Sequence, residues 1–480
     1  MSRRTSSLLL ALTLVAAACS ASDDQPAAEP LATSDAADTD GTAQADRTAQ
    51  ADGTAGTDGD ATTIAQRWPR PEVPTGPMSE ELTEALSEAV ATAGTGIAEE
   101  VFSAIADSGD PRAAWLVTDL LRFIPGPTND RLIGVYVDLT GAGVDPFAPW
   151  PDATDQLIAW DIPAPDGYLE LKRQLFTLVE PDWAPFFEGD TVDWRHVSWG
   201  GVLIDDRPLG DPNPCVGGCI PALDDPGLTD AAGGDWYPDD RVVFGVVVNG
   251  EARAYPKNIM EIHEMVNDTL GGRRIGVPYC TLCGSAQAYY LDDVEGFEPV
   301  LRTSGLLIRS NKMMYDLSTF SLVDTFTGQA STGPLAEAGV TLEQVSVVTS
   351  TWGAWKEAHP DTTIVASDGG IGRTYSMDPL GGRDDDGPIF PIGDPDPRLP
   401  VQEPVLGVVT DTGAFVAVPV EAARAALAAG DEITIDNLTI IADAGGIRAV
   451  RPDGSDAGSH QAFWFAWSQF HPDTSIWSAE

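Results

Sequence analysis

Cys280 and Cys283, separated by two residues in VPYCTLCGSAQAYY (277–290), offer the most chemistry in the chain. Only five cysteines occur in 480 residues, and the N-terminus reads as an export signal. Outside the cytosol a close thiol pair is oxidised to a disulfide, kept as a redox couple or held by a metal ion. The two-residue gap suits all three outcomes, because both sulfurs can reach one ion or each other. Haem attachment is disfavoured, since Gly284 stands where a His would follow the second cysteine.

His263 and Met314 lie in the same stretch of chain and extend the candidate set. A closed zinc site needs four Cys or His ligands, so Cys215 or Cys219 would have to join His263, Cys280 and Cys283. Cys215 and Cys219 are instead expected to close on each other as a disulfide. Two thiolates, one imidazole and a thioether from Met314 form a soft set that selects copper(I) ahead of zinc. The competing reading makes Met314 an ordinary core residue of an apolar strand. There is no Gly-x-Ser-x-Gly elbow, phosphate loop, dinucleotide fingerprint or His-Glu-x-x-His, so no nucleotide cofactor is expected.

The elements around these residues are legible from pattern. Arg274 to Tyr279 reads as a strand delivering Cys280, and 261–268 reads as a short helix ending in a turn. Leu306 to Tyr315 is expected to follow a hairpin. Val242 to Val248, then Asn249-Gly250, then Glu251 to Pro256 is a two-residue hairpin signal. Further upstream, Ser79 before Glu80-Glu81 looks like a helix N-cap, and Leu82, Leu86 and Val90 recur at helical spacing. A second helix opens after Asp110-Pro111.

An internal duplication is visible. FGVVVNGEARAYP (244–256) returns as LGVVTDTGAFVAVP (406–419), and TWGAWKEAHPDTTI (351–364) returns as FWFAWSQFHPDTSI (463–476). Trp352, Trp355 and His359 therefore match Trp464, Trp467 and His471, all on one helical face. Such a face is either a ligand site or a Trp-rich core helix, and the core reading is preferred because the second copy lacks cysteine. The copies differ in the chain between them. The 257–351 stretch of the first holds His263, Cys280, Cys283 and Met314, and its shorter counterpart holds none of them. Shared scaffold with one specialised insertion is the expectation.

The first 19 residues carry Arg3 and Arg4, an apolar run too short to span a bilayer, and small residues before Cys19. This is the pattern of a lipoprotein signal, with Cys19 acylated and the membrane reached through the lipid. Residues 20–66 are Ala, Asp, Thr and Gly with near-repeats, a composition that cannot bury enough apolar surface to fold. They read as a disordered tether. The formal charge of −47, with four lysines, argues against nucleic acid as a partner and against electrostatic attachment to anionic lipid.

Taken together, ARAYPKNIMEIHEMVNDTLGG, VPYCTLCGSAQAYY, TSGLLIRSNKMMYDLST and the Trp–Trp–His–Pro stretch resemble a bacterial family known as domain of unknown function 3179. The resemblance covers about 210–480. Its usual pattern reads AYP…HE.VND..GG, YCPLC.SA and W..W…HP.T, so His263, Cys280, Cys283 and Met314 fall on recurrent positions. Thr281 replaces the usual Pro and Leu317 the usual Arg. The resemblance implies export or lipid anchoring and no established activity.

The expected protein is α+β: a mainly helical domain over 67–205, a β-rich domain with the Cys-x-x-Cys insertion over 210–400, and a degenerate second copy over 401–480. The leading function is binding of a soft metal ion, copper, by His263, Cys280, Cys283 and Met314. The alternatives are an enzyme, a thiol–disulfide oxidoreductase using Cys280 and Cys283, and a structural or interaction module stapled by disulfides. The sequence names no protein partner.

Overall fold

A computed structural model describes residues 63–479 apart from 190, 216, 293, 295 and 383–386. The signal segment with Cys19, and the tether as far as residue 62, lie outside the described residues. The last part of the expected tether is folded: Ile64–Arg67 is a helical turn capped by Thr63, and the Ile64 N–H donates to Asp394 at 2.7 Å.

Helices dominate up to about residue 187. Glu80–Thr92 begins where the Ser79 hydroxyl accepts the Leu82 N–H, and Leu82, Leu86 and Val90 form its buried stripe. Glu99–Asp107, Ala114–Phe123, Pro127–Thr140, Pro149–Trp160 and Tyr168–Val179 follow. Among the described residues no helix is long and apolar enough to cross a membrane.

The turn-rich stretch after residue 205 is not a clean boundary. Strand Val197–Trp199 pairs antiparallel with Leu306–Ile308, deep in the later part of the chain. The Trp183 indole donates to the Ser304 carbonyl at 2.7 Å. Leu306, Met313, Tyr315 and Leu322 complete the core of the helices. Turn formers mark where a chain bends, and burial across the bend is invisible to local composition.

The fold is α+β, and its two repeated segments build like sheets. In the first, Val348–Thr351, Val242–Val248, Glu251–Pro256 and Thr363–Val365 lie in that order, the last parallel to its neighbour. In the second, Ser459–Phe463, Pro404–Val409, Phe415–Pro419 and Ser475–Ile476 repeat the order and the parallel pairing of the last two strands. Each carries a short Trp helix, Trp352–Ala358 or Trp464–Phe470, and all four tryptophans are buried. Gly245 and Gly407 let these helices approach: a Cβ there would lie 2.1 Å from Trp355 and 2.0 Å from Trp467. Trp355 and Trp467 each donate to a threonine hydroxyl, Thr362 and Thr474, at 2.9 Å. The Trp face is core.

The insertion forms two further sheets. Helix Lys257–His263 stops at Glu264, whose φ of 55° turns the chain directly into strand Met265–Leu270. The expected helix over 261–268 is thus half helix and half strand. Met265 and Val266 are buried and pair with Pro278 and Val277, so tertiary pairing overrides the local helical pattern. Arg273–Cys280 returns antiparallel. Leu301–Ile308 and Asn311–Asp316 form a hairpin whose turn residues, Arg309 and Ser310, have φ of 48° and 67°.

Candidate functional site: a buried dithiol beside a cavity

Strand Arg273–Cys280 ends in the turn that holds both cysteines. Cys280 is 2% exposed, Cys283 is fully buried, and both are free thiols. Their walls are Leu282, Leu307, Phe326 and Phe390, together with the Trp464 helix of the second sheet. That sheet also closes the turn. The Phe463 N–H donates to the Cys283 carbonyl at 2.9 Å, and a Cβ on Gly284 would meet the Phe463 ring at 2.9 Å. Gly284 has φ of 58°, so the position demands glycine twice over.

The two thiols share one acceptor. The Ser310 carbonyl lies 3.7 Å from Cys280 Sγ and 3.4 Å from Cys283 Sγ. Ser310 reaches this position because it and Arg309 both adopt left-handed backbone, costly for residues with a Cβ.

The pair is electrostatically uneven. Burial pushes the Cys280 thiol up, but hydrogen bonds from the Cys283 thiol and from the N–H groups of Cys283, Lys312 and Leu282 outweigh it. The net position is below the ordinary thiol value. Burial, reinforced by the bond to Cys280, pushes Cys283 well above it.

His263 does not join them. Its Nδ1 lies 2.6 Å from the Pro221 carbonyl, and its Nε2 lies 2.7 Å from the Tyr375 hydroxyl. A carbonyl only accepts, so Nδ1 carries the proton and Nε2 accepts from Tyr375. Burial lowers the imidazole to about 4, keeping it neutral. Both ring nitrogens are occupied, and His263, Cys280 and Cys283 do not converge within 4.8 Å among the described residues. Met314 is buried with Met265, Tyr289, Leu301 and Val323, a different cluster from that around the thiols. His263 therefore does not join the two thiols. The reason is geometric: the helix carrying His263 points that side chain toward Pro221 and Tyr375.

Cys215 and Cys219 are joined in a disulfide. The Asp205 carboxylate lies close to them, but Arg207 at 2.6 Å and the Ala222 N–H at 2.8 Å already engage it.

Behind the dithiol turn lies a cavity of about 50 Å³, lined by Glu264, Thr281, Leu282, Lys312, Met314 and apolar neighbours. Glu264 is 1% exposed and forms an ion pair with Lys312. Neither residue belonged to the expected site. Lys312 is one of only four lysines and Glu264 directly follows His263, which are the signals that could have drawn notice.

Fold and site together define an α+β protein with a doubled sheet scaffold and a buried dithiol in its longer copy. The chain belongs to the family described as Protein of unknown function (DUF3179), whose profile matches residues 217–459 and so takes in the whole insertion. No curated protein and no solved structure matches it.

Proposed function

We propose that the protein works through a redox-active dithiol, with Cys280 as the attacking sulfur and Cys283 as the resolving one. The geometry of the pair carries this reading: two free thiols three residues apart both reach the Ser310 carbonyl and lie within hydrogen-bond reach of each other, so one can attack and the other resolve. In the exchange, Cys280 Sγ attacks a sulfur of an incoming disulfide and expels a thiolate. Cys283 then attacks Cys280 Sγ, closing the Cys280–Cys283 disulfide and releasing the second thiol. One disulfide is reduced and one dithiol oxidised, with no other reactant. Burial of both sulfurs makes outward movement of the 281–284 turn part of the reaction.

The N-terminal signal pattern and Cys19 support export and lipid attachment, with the tether holding the folded body away from the membrane. Equilibration in glutathione buffers of defined potential, followed by alkylation and mass analysis, tests the dithiol. One two-electron transition linking Cys280 to Cys283 is expected, absent in Cys280→Ser. A pair that stays fully reduced or fully oxidised across the accessible range contradicts the reading.

A second reading keeps copper, as a copper(I) ion held between the two sulfurs alone. The buried, apolar surroundings favour it, since an ion passes where a protein disulfide does not. Anaerobic loading should then give one copper per chain, lost in Cys280→Ser/Cys283→Ser and unchanged in Met314→Leu. Copper uptake that depends on Met314 would refute this version.

A further inference from the structure

We propose that Arg122 is the binding site for one small monocarboxylate, whose two oxygens take the open edge of the guanidinium while its apolar body lies along Trp150. The site shares no residue with the dithiol, so the inference stands apart from the redox reading.

Position comes first. Arg122 sits in the last turn of helix Ala114–Phe123. Its Cζ lies 4.3 Å from the centre of the Trp150 ring, 5.3 Å from that of Trp199 and 5.7 Å from that of Phe390. Its Nε donates to the Trp199 carbonyl at 3.0 Å. The ring faces attract a cation, and so does the C-terminal end of the helix. Burial pushes the group down to about 10, so it stays charged at neutral pH.

What the cation lacks is an anion. Arg112, Lys172, Arg207, Arg253 and Arg302 are buried, and each pairs with a carboxylate at 2.5–2.9 Å. Among the described residues Arg122 pairs with none, although the chain holds 74 Asp and Glu against 27 Lys and Arg. Its Nη1 and Nη2 also have no hydrogen-bond acceptor there, and neither nitrogen is sealed from solvent. The fork therefore presents its donors at an accessible edge, inside an aromatic wall.

Chemistry sets the ligand. A planar guanidinium matches a carboxylate through two parallel N–H···O bonds. One cation balances one negative charge. A phosphate dianion would bring a second charge into the field of a chain carrying −47. Trp150 is only partly buried and meets Phe390 edge to face at 5.9 Å, so its ring offers apolar surface for the body beside the carboxylate.

Calorimetric titration of the full chain with benzoate, acetate and phosphate tests the site. One benzoate per chain is expected, bound about 10-fold more tightly than acetate because a ring face leaves water on Trp150. Phosphate should bind more weakly than benzoate. Arg122→Lys keeps the charge but loses the fork, and should weaken benzoate about 10-fold. Arg122→Gln should abolish binding while circular dichroism keeps its native form. On the unaltered chain, benzoate should slow the modification of Arg122 by phenylglyoxal, read by peptide mass analysis. Absence of saturable benzoate binding, phosphate tighter than benzoate, benzoate binding retained in folded Arg122→Gln, or no protection of Arg122 overturns the proposal. If the variants fail to fold, the protection measurement decides it.

Discussion

Lowering the pH from 7 to 5 should cost the native state about 2 kcal/mol through His263 alone. The imidazole titrates near 4 when folded, because burial disfavours its charged form, and near 6.5 when unfolded. Between these values the unfolded chain binds more protons, so stability rises with pH. The contribution is fully present above about 6.5, falls progressively below it, and is gone below about 4. Integrating the two titrations gives a loss of about 0.2 kcal/mol at pH 7 and about 2 kcal/mol at pH 5. Protonating Nε2 also removes the acceptor for the Tyr375 hydroxyl. Urea unfolding followed by tryptophan fluorescence, at pH 7 and pH 5, measures the effect in the native chain and in His263→Gln. The variant is weaker at pH 7, having lost ideal partners, but its loss on acidification should be smaller by about 2 kcal/mol. His196 and His471, each lowered to about 4, act in the same sense as His263. Asp155 and Asp324, raised to about 7 and about 6, act in the opposite sense. All four are present in both proteins and drop out of the difference. Equal pH dependence in the two proteins would refute the account of His263 as a neutral, doubly bonded core residue.

Gly245→Ala and Gly407→Ala should each destabilise by about 3 kcal/mol or more in thermal unfolding, because the added methyl meets an indole with no room to move. A cost under about 1 kcal/mol would contradict the close sheet–helix packing. Arg309→Asn with Ser310→Gly should stabilise by about 1–2 kcal/mol, since both positions need left-handed backbone and the pair suits a two-residue hairpin. Met314→Leu should cost less than about 1.5 kcal/mol, as a volume-conserving change in a core position. A larger cost would mean that the sulfur has a specific partner.

Much of the frame was legible. Ser79 caps its helix as its type predicts, Asn249-Gly250 makes its hairpin, and the paired Trp segments build matching sheets. These are local signals, or a local signal seen twice. The strand expected over Arg274 to Tyr279 likewise delivers the first cysteine, as Arg273–Cys280. The site's environment was not legible, because it is made by residues distant in sequence. Ser310 reaches the thiols across a hairpin turn, Tyr375 captures His263 from far downstream, and Phe463 closes the turn from the other sheet. Spacing placed His263 and Met314 near the cysteines in the chain. It carried no information on which way a helix end or a strand face would turn them. The contact across residue 205 was illegible for the same reason, since the pairing of Val197–Trp199 with Leu306–Ile308 spans more than a hundred residues.

The most direct measurement is the alkylation rate of each cysteine in the folded, reduced chain as a function of pH, resolved by mass spectrometry. Cys280 should react with a midpoint below the ordinary thiol value and Cys283 only well above it, and Cys283→Ala should shift the Cys280 midpoint upward by removing a hydrogen bond to the thiolate. Equal rates at the two sulfurs, or no reaction at either until the chain unfolds, would contradict the unequal dithiol.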